Sequence, residues 1–444
     1  MLQDRSRQLK RTLGLPAVLL FGLAYMTPVI VYGTYGVLAK ASQDTAALSY
    51  AVALVAILFT ALSYCKLARQ FPVAGSAYSY TRKAFNGYLG FLVGWATLLD
   101  YFFIPMVIWL VGAAYMNAGW PAVPSWIWVL GFIVVTSTLN IRGIELAARL
   151  NLVLMAAQLA VVALFMFLCW RYAAAIAGPG GVAYAEPVIK PQVPFSAVLA
   201  GAAIAAYSYL GFDAVSTLTE ETVEPKKNMP RAILGIALIG GVIFILASYT
   251  TQLAHPGTTF EHTDAAAVEI ARAVGGNIFM GGFFVGTVLA TFAAGISAQA
   301  SAGRLLFAMG RDGVLPERVF GYLHPKYRTP AMNIAFTGAV GLLALTLDVA
   351  TSTSFINFGA FLAFTAVNLC VVRQYLAGRF DKGSVGFIGG LLVPIAGAVA
   401  DIWLLTSLER AALILGVAWF LIGIGYLCWI TRLFRRPPPE VALV

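Results

Sequence analysis

The sequence predicts an all-α polytopic membrane protein with twelve transmembrane helices. Two observations carry this. Of the 444 residues, 60% are hydrophobic and 11% charged, with a mean hydropathy of +0.84, which no soluble globular domain shows. The apolar residues also fall in continuous runs of roughly twenty, enough to cross the hydrocarbon core as a helix. Between Ala84 and Ile141 the only charged side chain is Asp100. Continuous rather than alternating apolar runs exclude a β-barrel.

The spans are read at roughly 15–39, 45–68, 86–115, 124–141, 146–170, 194–217, 229–253, 277–303, 331–349, 353–373, 384–406 and 411–431. The chain is expected to be one transmembrane domain, with a first repeat over 1–170, a second over 194–373 and two further helices over 384–431. With the N-terminus inside, 24 of the 29 basic residues fall in inner segments, and only Lys40, Arg171, Lys190, Arg272 and Arg410 fall outside. This bias predicts that both termini are cytoplasmic. It also explains the net charge of +10 as membrane topology rather than nucleic-acid binding, with some attraction to the anionic headgroups of the bilayer.

The basic N-terminus runs into span 1 without a small-residue cleavage site, so span 1 reads as a signal anchor. Pro28 lies inside that span, after Tyr25-Met26-Thr27. Proline removes a backbone donor and clashes with the preceding turn, giving either a simple kink or a break. Span 3 carries Asp100 and Tyr101 in its middle. A carboxylate there costs roughly 2.5–3.5 kcal/mol on insertion scales, to be offset by a partner, a proton or a cationic ligand. Either these residues line a substrate path or Asp100 ties neighbouring helices. Span 5 contributes Asn151 and Gln158, but no lysine in its middle.

Span 6 is the most informative element. Leu210-Gly211-Phe212 interrupts the helix, and unpaired backbone at membrane depth is tolerated only inside protein or along a cavity. Asp213 follows. It reads as an N-cap of a second half-helix, as a group exchanging a proton or an amine, or as both. Tyr207, Tyr209 and Phe212 flank the break as packing residues or as a stacking surface, where cation–π contact suits an ammonium group. Glu220, Glu221 and Glu224 precede Lys226, Lys227 and Arg231. They are either solvated ion pairs or an inner gate whose acids pair with bases of another segment.

The breaks in spans 1 and 6 lie five helices apart. An odd offset gives two halves of opposite orientation, so paired breaks point to inverted repeats with the substrate held between them. Asp264 opens a helical pattern in the outer loop before span 8, either a lid or a surface helix. In span 8, Ser297 and Ser301 are four residues apart near Gln299. They serve close helix packing or help to hold Na⁺.

Cys65, Cys169, Cys370 and Cys428 stand singly in or beside apolar spans without metal or redox spacing, and no metal site is expected. His255, His262 and His324 fall in loops. There is no phosphate-binding loop, no H-E-x-x-H and no G-x-S-x-G, the nearest run being Gly75-Ser76. An ATP-driven pump and a membrane hydrolase are thereby disfavoured, and neither an enzyme nor a cofactor is expected.

Three separated segments carry a family resemblance. GFDAVSTLTEET with PKKNMPRAI (211–233), FPVAGSAYSY (71–80) and AMGRDGVLPERVFGYLHPKYRTPAMN (308–333) resemble the amino acid–polyamine–organocation permeases. GLAYMTP, WATLLDYFFIPM and INFGAFLAFTAVNL are most similar to bacterial putrescine importers. The resemblance implies a LeuT-type fold, a 5+5 inverted repeat plus two C-terminal helices, in a bacterial inner membrane. It also implies proton-driven uptake of a small amine. On it, Asp100 and Tyr101 match an acid–tyrosine pair, and Glu220 and Glu221 match the acids that end span 6. There is one departure. In the run Val31-Tyr32-Gly33-Thr34-Tyr35-Gly36, Gly33 stands where those importers carry an acid.

The expectation is a secondary transporter importing a small amine or amino acid by proton symport. Its contacts are Tyr25, Met26, Thr27, Gly33, Asp100, Tyr101, Tyr207, Tyr209, Gly211, Phe212 and Asp213. Asp100, Asp213, Glu220 and Glu221 are the coupling or gating candidates. A Na⁺-coupled or exchanging permease is the alternative, ahead of a channel or a non-transporting sensor.

Overall fold

The computed structural model describes residues 11–439, apart from 121, 178–180, 189, 262, 264–265, 347–348, 381–382 and 409. Asp264, His262, Lys382 and the basic residues Arg5, Arg7 and Lys10 lie outside the described residues. The described chain is helical, with one isolated bridge between Leu13 and Thr222.

Span 1 comprises Leu15–Met26, then Ile30–Gly33 and Tyr35–Ala41 after a break. Span 2 is Ala46–Gln70, span 3 Gly87–Gly119, span 4 Ser125–Arg142 and span 5 Ile144–Ile176. A short helix, Ser76–Ala84, connects spans 2 and 3. Span 6 begins as Phe195–Ala205, tightens to a 3₁₀ turn at Ala206–Tyr209 and resumes at Ala214–Glu221. Span 7 is Pro225–Ala254. Span 8 is the part of Ala266–Arg311 that follows Gly276, where non-helical backbone separates it from a shorter outer helix. Spans 9 and 10 are Ala331–Gly341 and Val349–Leu376. Span 11 runs from Ser384 through a π-turn, Ile388–Leu392, into Val393–Thr406, and span 12 is Arg410–Ile430. Among the described residues, eleven helices are long and apolar enough to cross a membrane, and span 9 with its 3₁₀ extension, Ala331–Leu345, is shorter.

Chain chemistry explains the joints. Asn86 caps span 3, its side chain accepting from the Leu89 N–H at 2.9 Å and satisfying one orphan donor of the first turn. Pro225 opens span 7 at a position where no N–H is needed. Spans 1, 2, 6 and 7 pack on one another, as do spans 3, 4, 8 and 9, while span 10 lies against spans 2, 3, 11 and 12. Span 3 is central, with 78% of its apolar window buried, whereas span 12 is peripheral at 17%. The exposed faces of the outer spans carry Val134, Val153, Phe167, Leu421 and Ile422, the apolar surface expected against lipid.

The second half of span 6 departs from the sequence reading. It is a 3₁₀ helix, and Asp213 precedes it without a side-chain capping bond. The Asp213 side chain is instead taken up by tyrosines of other helices, which leaves it no role as an N-cap.

Candidate substrate site at the two helix breaks

The first break forms at Thr27, whose backbone turns left-handed at φ 52° while its N–H still bonds the Leu23 carbonyl. Pro28 cannot continue the helix. The next free donor, the Val29 N–H, bonds Gln158 Oε1 of span 5 at 3.2 Å. A side chain from a neighbouring span thus satisfies the backbone opened within the membrane. The second break requires Gly211, at φ 110°. A Cβ on Gly211 would lie 2.1 Å from the Tyr25 ring. The two breaks therefore touch, with Tyr25 of span 1 lying on the bare backbone of span 6.

Around that contact the structure gathers acids and tyrosines. Tyr101 donates to Asp213 Oδ2 at 2.5 Å, and Tyr64 of span 2 donates to the same oxygen at 3.3 Å. The Ser76 hydroxyl lies 3.1 Å from the Tyr101 hydroxyl. Because Tyr101 spends its proton on Asp213, Ser76 is the donor in that pair. A hydrogen-bonded chain thus runs from the short helix between spans 2 and 3 to Asp213. Asp213 Oδ1, Asp100 Oδ1 and the Tyr25 hydroxyl are buried without a protein partner among the described residues. Tyr25 packs edge-on to Tyr101, with ring centres 6.3 Å apart. Asp100 is within electrostatic range of Asp213, and Tyr207 of Asp100.

Other expected contacts are turned elsewhere. Tyr209 donates to the Tyr50 carbonyl at 2.9 Å and packs on Phe244. Phe212 packs between Tyr64 and Phe364. Met26 lies against Gly240 of span 7, and the Thr27 hydroxyl sits over the carbonyls of its own helix. Gly33 is exposed, and a side chain there would meet only Ile30, at 3.8 Å. Ser297 accepts from Asn151 of span 5 at 2.7 Å, and Ser301 points to the Ala214 carbonyl at 3.5 Å. These two hydroxyls tie span 8 to spans 5 and 6.

Residues 17–436 match the amino acid permease family. The chain belongs to that family. The permease is 40% identical to the low-affinity putrescine importer PlaP of Escherichia coli K12, over 98% of this chain and 96% of that one. It is 27% identical to the methylthioribose transporter of Bacillus subtilis, over 95% and 93% of the two chains. It is 25% identical to the branched-chain amino acid permease BcaP of the same organism, over 94% and 92%. The relatives are transporters rather than enzymes, and the family implies the LeuT-like fold expected from the resemblance.

Ion pairs lie at both ends of the helices that meet at the breaks. On the span-6 end, Glu221 makes a forked pair with Arg304 of span 8, both side chains 2% exposed. Glu220 makes a second fork with Arg311, at 2.8 and 3.0 Å, and also accepts from the Ala74 N–H at 3.2 Å. The N-terminal segment closes over them, Thr12 and Leu13 each donating to the Glu221 carbonyl at 2.9 Å. These acids therefore pair with bases of span 8 rather than with those of their own loop. Only Glu224 makes the solvated pair, with Lys227 at 3.5 Å. A surface cavity lined by Phe307, Arg311, Glu317 and Arg318 opens beside these pairs.

At the opposite end Asp44 gathers Lys190 at 2.5 Å, the Gly257 N–H at 2.9 Å and, through its carbonyl, Gln252 at 2.7 Å. Three loops are joined there. Gly36 of span 1 abuts the Thr263 carbonyl, so the segment before span 8 covers that end of span 1.

The sequence reading missed Tyr64, Ser76, Asp44 and the pairing of Arg304 and Arg311 with Glu221 and Glu220. It also missed Asp401, the single acid in span 11. The rule that selected Asp100 and Asp213, an acid within an apolar run, would have found Asp401 as well.

Proposed function

We propose that this permease imports a small diamine of the putrescine class together with H⁺, using alternating access. The carrying observation is the pair of buried acids at the breaks, Asp100 and Asp213. Each has a bare oxygen, and neither has a basic partner among the described residues. Two carboxylates in an apolar interior need positive charge or protons, and a short diamine supplies two ammonium groups at a fixed spacing. Tyr25, Tyr101 and Tyr207 offer ring faces for those groups. The name of the 40%-identical importer supports the same class.

Asp213 is the proposed coupling acid. When the amine leaves, a proton replaces it as the neutralising charge, and Ser76 and Tyr101 provide the hydrogen-bonded route for that proton. Access alternates as spans 1, 2, 6 and 7 rock against spans 3, 4, 8 and 9, opening either the Glu221–Arg304 seal or the Asp44–Lys190 clasp. We further propose a 5+5 inverted repeat over 1–170 and 194–373, residence in a bacterial inner membrane, and cytoplasmic termini.

The test is counterflow of labelled putrescine into proteoliposomes, with lysine and leucine as competitors and imposed pH or Na⁺ gradients. Putrescine is expected to exchange, and an inward proton gradient to drive its accumulation. Exchange of leucine without putrescine would remove the diamine reading. Accumulation under a Na⁺ gradient alone would remove proton coupling.

A further inference from the structure

Asp401 is the only ionisable residue of span 11 and is 0% exposed. Thr60 of span 2 donates to its Oδ2 at 3.0 Å, and Asn368 of span 10 donates to the same oxygen at 2.9 Å. Thr60 and Asn368 are also 2.8 Å apart and are equally buried. Both donors are thus spent on one oxygen. Asp401 Oδ1 and Asn368 Oδ1 remain buried acceptors with no protein donor among the described residues.

No basic side chain among the described residues reaches Asp401. Lys66 of span 2 bonds the Gly389 carbonyl at the start of span 11, roughly 18 Å along the helix from Asp401 at 1.5 Å per residue. Of the other titratable groups on the packed helices, Arg69 of span 2 is exposed nine residues beyond Thr60, Tyr50 bonds Ser208, and the rest are engaged elsewhere. On span 2, Tyr64 bonds Asp213 and Cys65 the Pro230 carbonyl. On span 10, Cys370 bonds Thr81, Arg373 lies over the Phe85 ring and Tyr375 packs on Gly390.

This cluster has two surplus acceptors, one carboxyl group and no counter-charge. A metal cation would need several oxygen ligands, and here only Asp401 Oδ1 and Asn368 Oδ1 are unspent. A proton meets the requirement with one bond: it joins Asp401 Oδ1, cancels the charge and supplies the missing donor. We propose that Asp401 is a proton-binding site, separate from the substrate cavity, that holds its proton as a neutral carboxylic acid between spans 2, 10 and 11. Thr60 lies one turn from Tyr64 on span 2, the helix that also holds Asp213, so two protonatable acids are tied to one helix.

The proposal stands apart from the transported substrate, and its test uses none. Infrared difference spectra of the full-length protein in lipid nanodiscs are recorded across pH. The wild type is expected to show the C=O stretch of a buried neutral carboxylic acid. Asp401→Asn should lose that band, and the double variant Asp100→Asn/Asp213→Asn should keep it. A spectrum unchanged by Asp401→Asn overturns the proposal, because an ionised carboxylate that merely packs gives no such band. Should Asp401→Asn fail to fold, Thr60→Val keeps the side chain's shape and removes one donor to Oδ2. It should then move the same band, and an unmoved or absent band overturns the proposal equally.

Discussion

Tyr101 and Tyr64 donate to one oxygen of Asp213 while the other oxygen has no protein donor among the described residues. A group so held is oriented by the tyrosines and left open toward ligand. Asp213→Asn is therefore expected to reduce uptake by at least about tenfold, the loss of one charge-assisted bond of about 1.5–3 kcal/mol, with expression and thermal stability little changed. Uptake at the wild-type rate would remove Asp213 from the site. Gly211→Ala tests the contact between the breaks. The new Cβ must both displace the Tyr25 ring and hold φ 110°, and a left-handed backbone alone costs roughly 1–2 kcal/mol for a non-glycine residue. Uptake should fall by about tenfold or more, and a variant transporting normally would show that Tyr25 need not rest there. Asp100, Tyr101, Gly211 and Asp213 were legible in the sequence because acids and a glycine are conspicuous in apolar helices. Tyr64 was not, since a tyrosine in a membrane span looks the same whether it packs or donates to an acid four spans further along the chain. Gly33 shows the same limit, since sequence position on a broken helix does not say which way a residue faces.

The end of span 6 shows how a helix acquires partners that its own sequence does not name. Glu220 and Glu221 lie near Lys226, Lys227 and Arg231 in the chain, yet they pair with Arg311 and Arg304 of span 8. Both Glu221 and Arg304 are desolvated, so removing one leaves the other buried and unpaired at a cost of about 3–5 kcal/mol. Arg304→Gln is thus expected to lower the thermal unfolding temperature markedly. The double variant Glu221→Gln/Arg304→Gln should recover much of that loss, as a double-mutant cycle reports for coupled groups. Equal stability of all three proteins would show that this fork holds nothing together. The 3₁₀ form of Ala214–Glu221 was not legible either. Its residues suit an ordinary helix, and the narrower coil follows from its packing on spans 1, 7 and 8.

Across the molecule, the proposed inner and outer faces rest on where the bases fall, and this assignment is open to measurement. Tyr184, 51% exposed before span 6, and Tyr322, 39% exposed after span 8, are expected on opposite sides of the membrane. In intact cells a membrane-impermeant thiol reagent should modify Tyr184→Cys, and should modify Tyr322→Cys only once the membrane is opened. Reversed labelling would invert the proposed topology. The spans, with their boundaries to within about eight residues, and both helix breaks could be read directly from the chain. They depend on local matters: the length of apolar runs, the missing donor of Pro28 and the bare backbone of Gly211. The meeting of Tyr25 with Gly211, the choice of Arg304 by Glu221, and the joining of Thr60 and Asn368 at Asp401 needed the folded molecule. Each brings together groups 83 to 341 residues apart or on separate helices, and hydropathy carries no record of which faces of two apolar helices will touch.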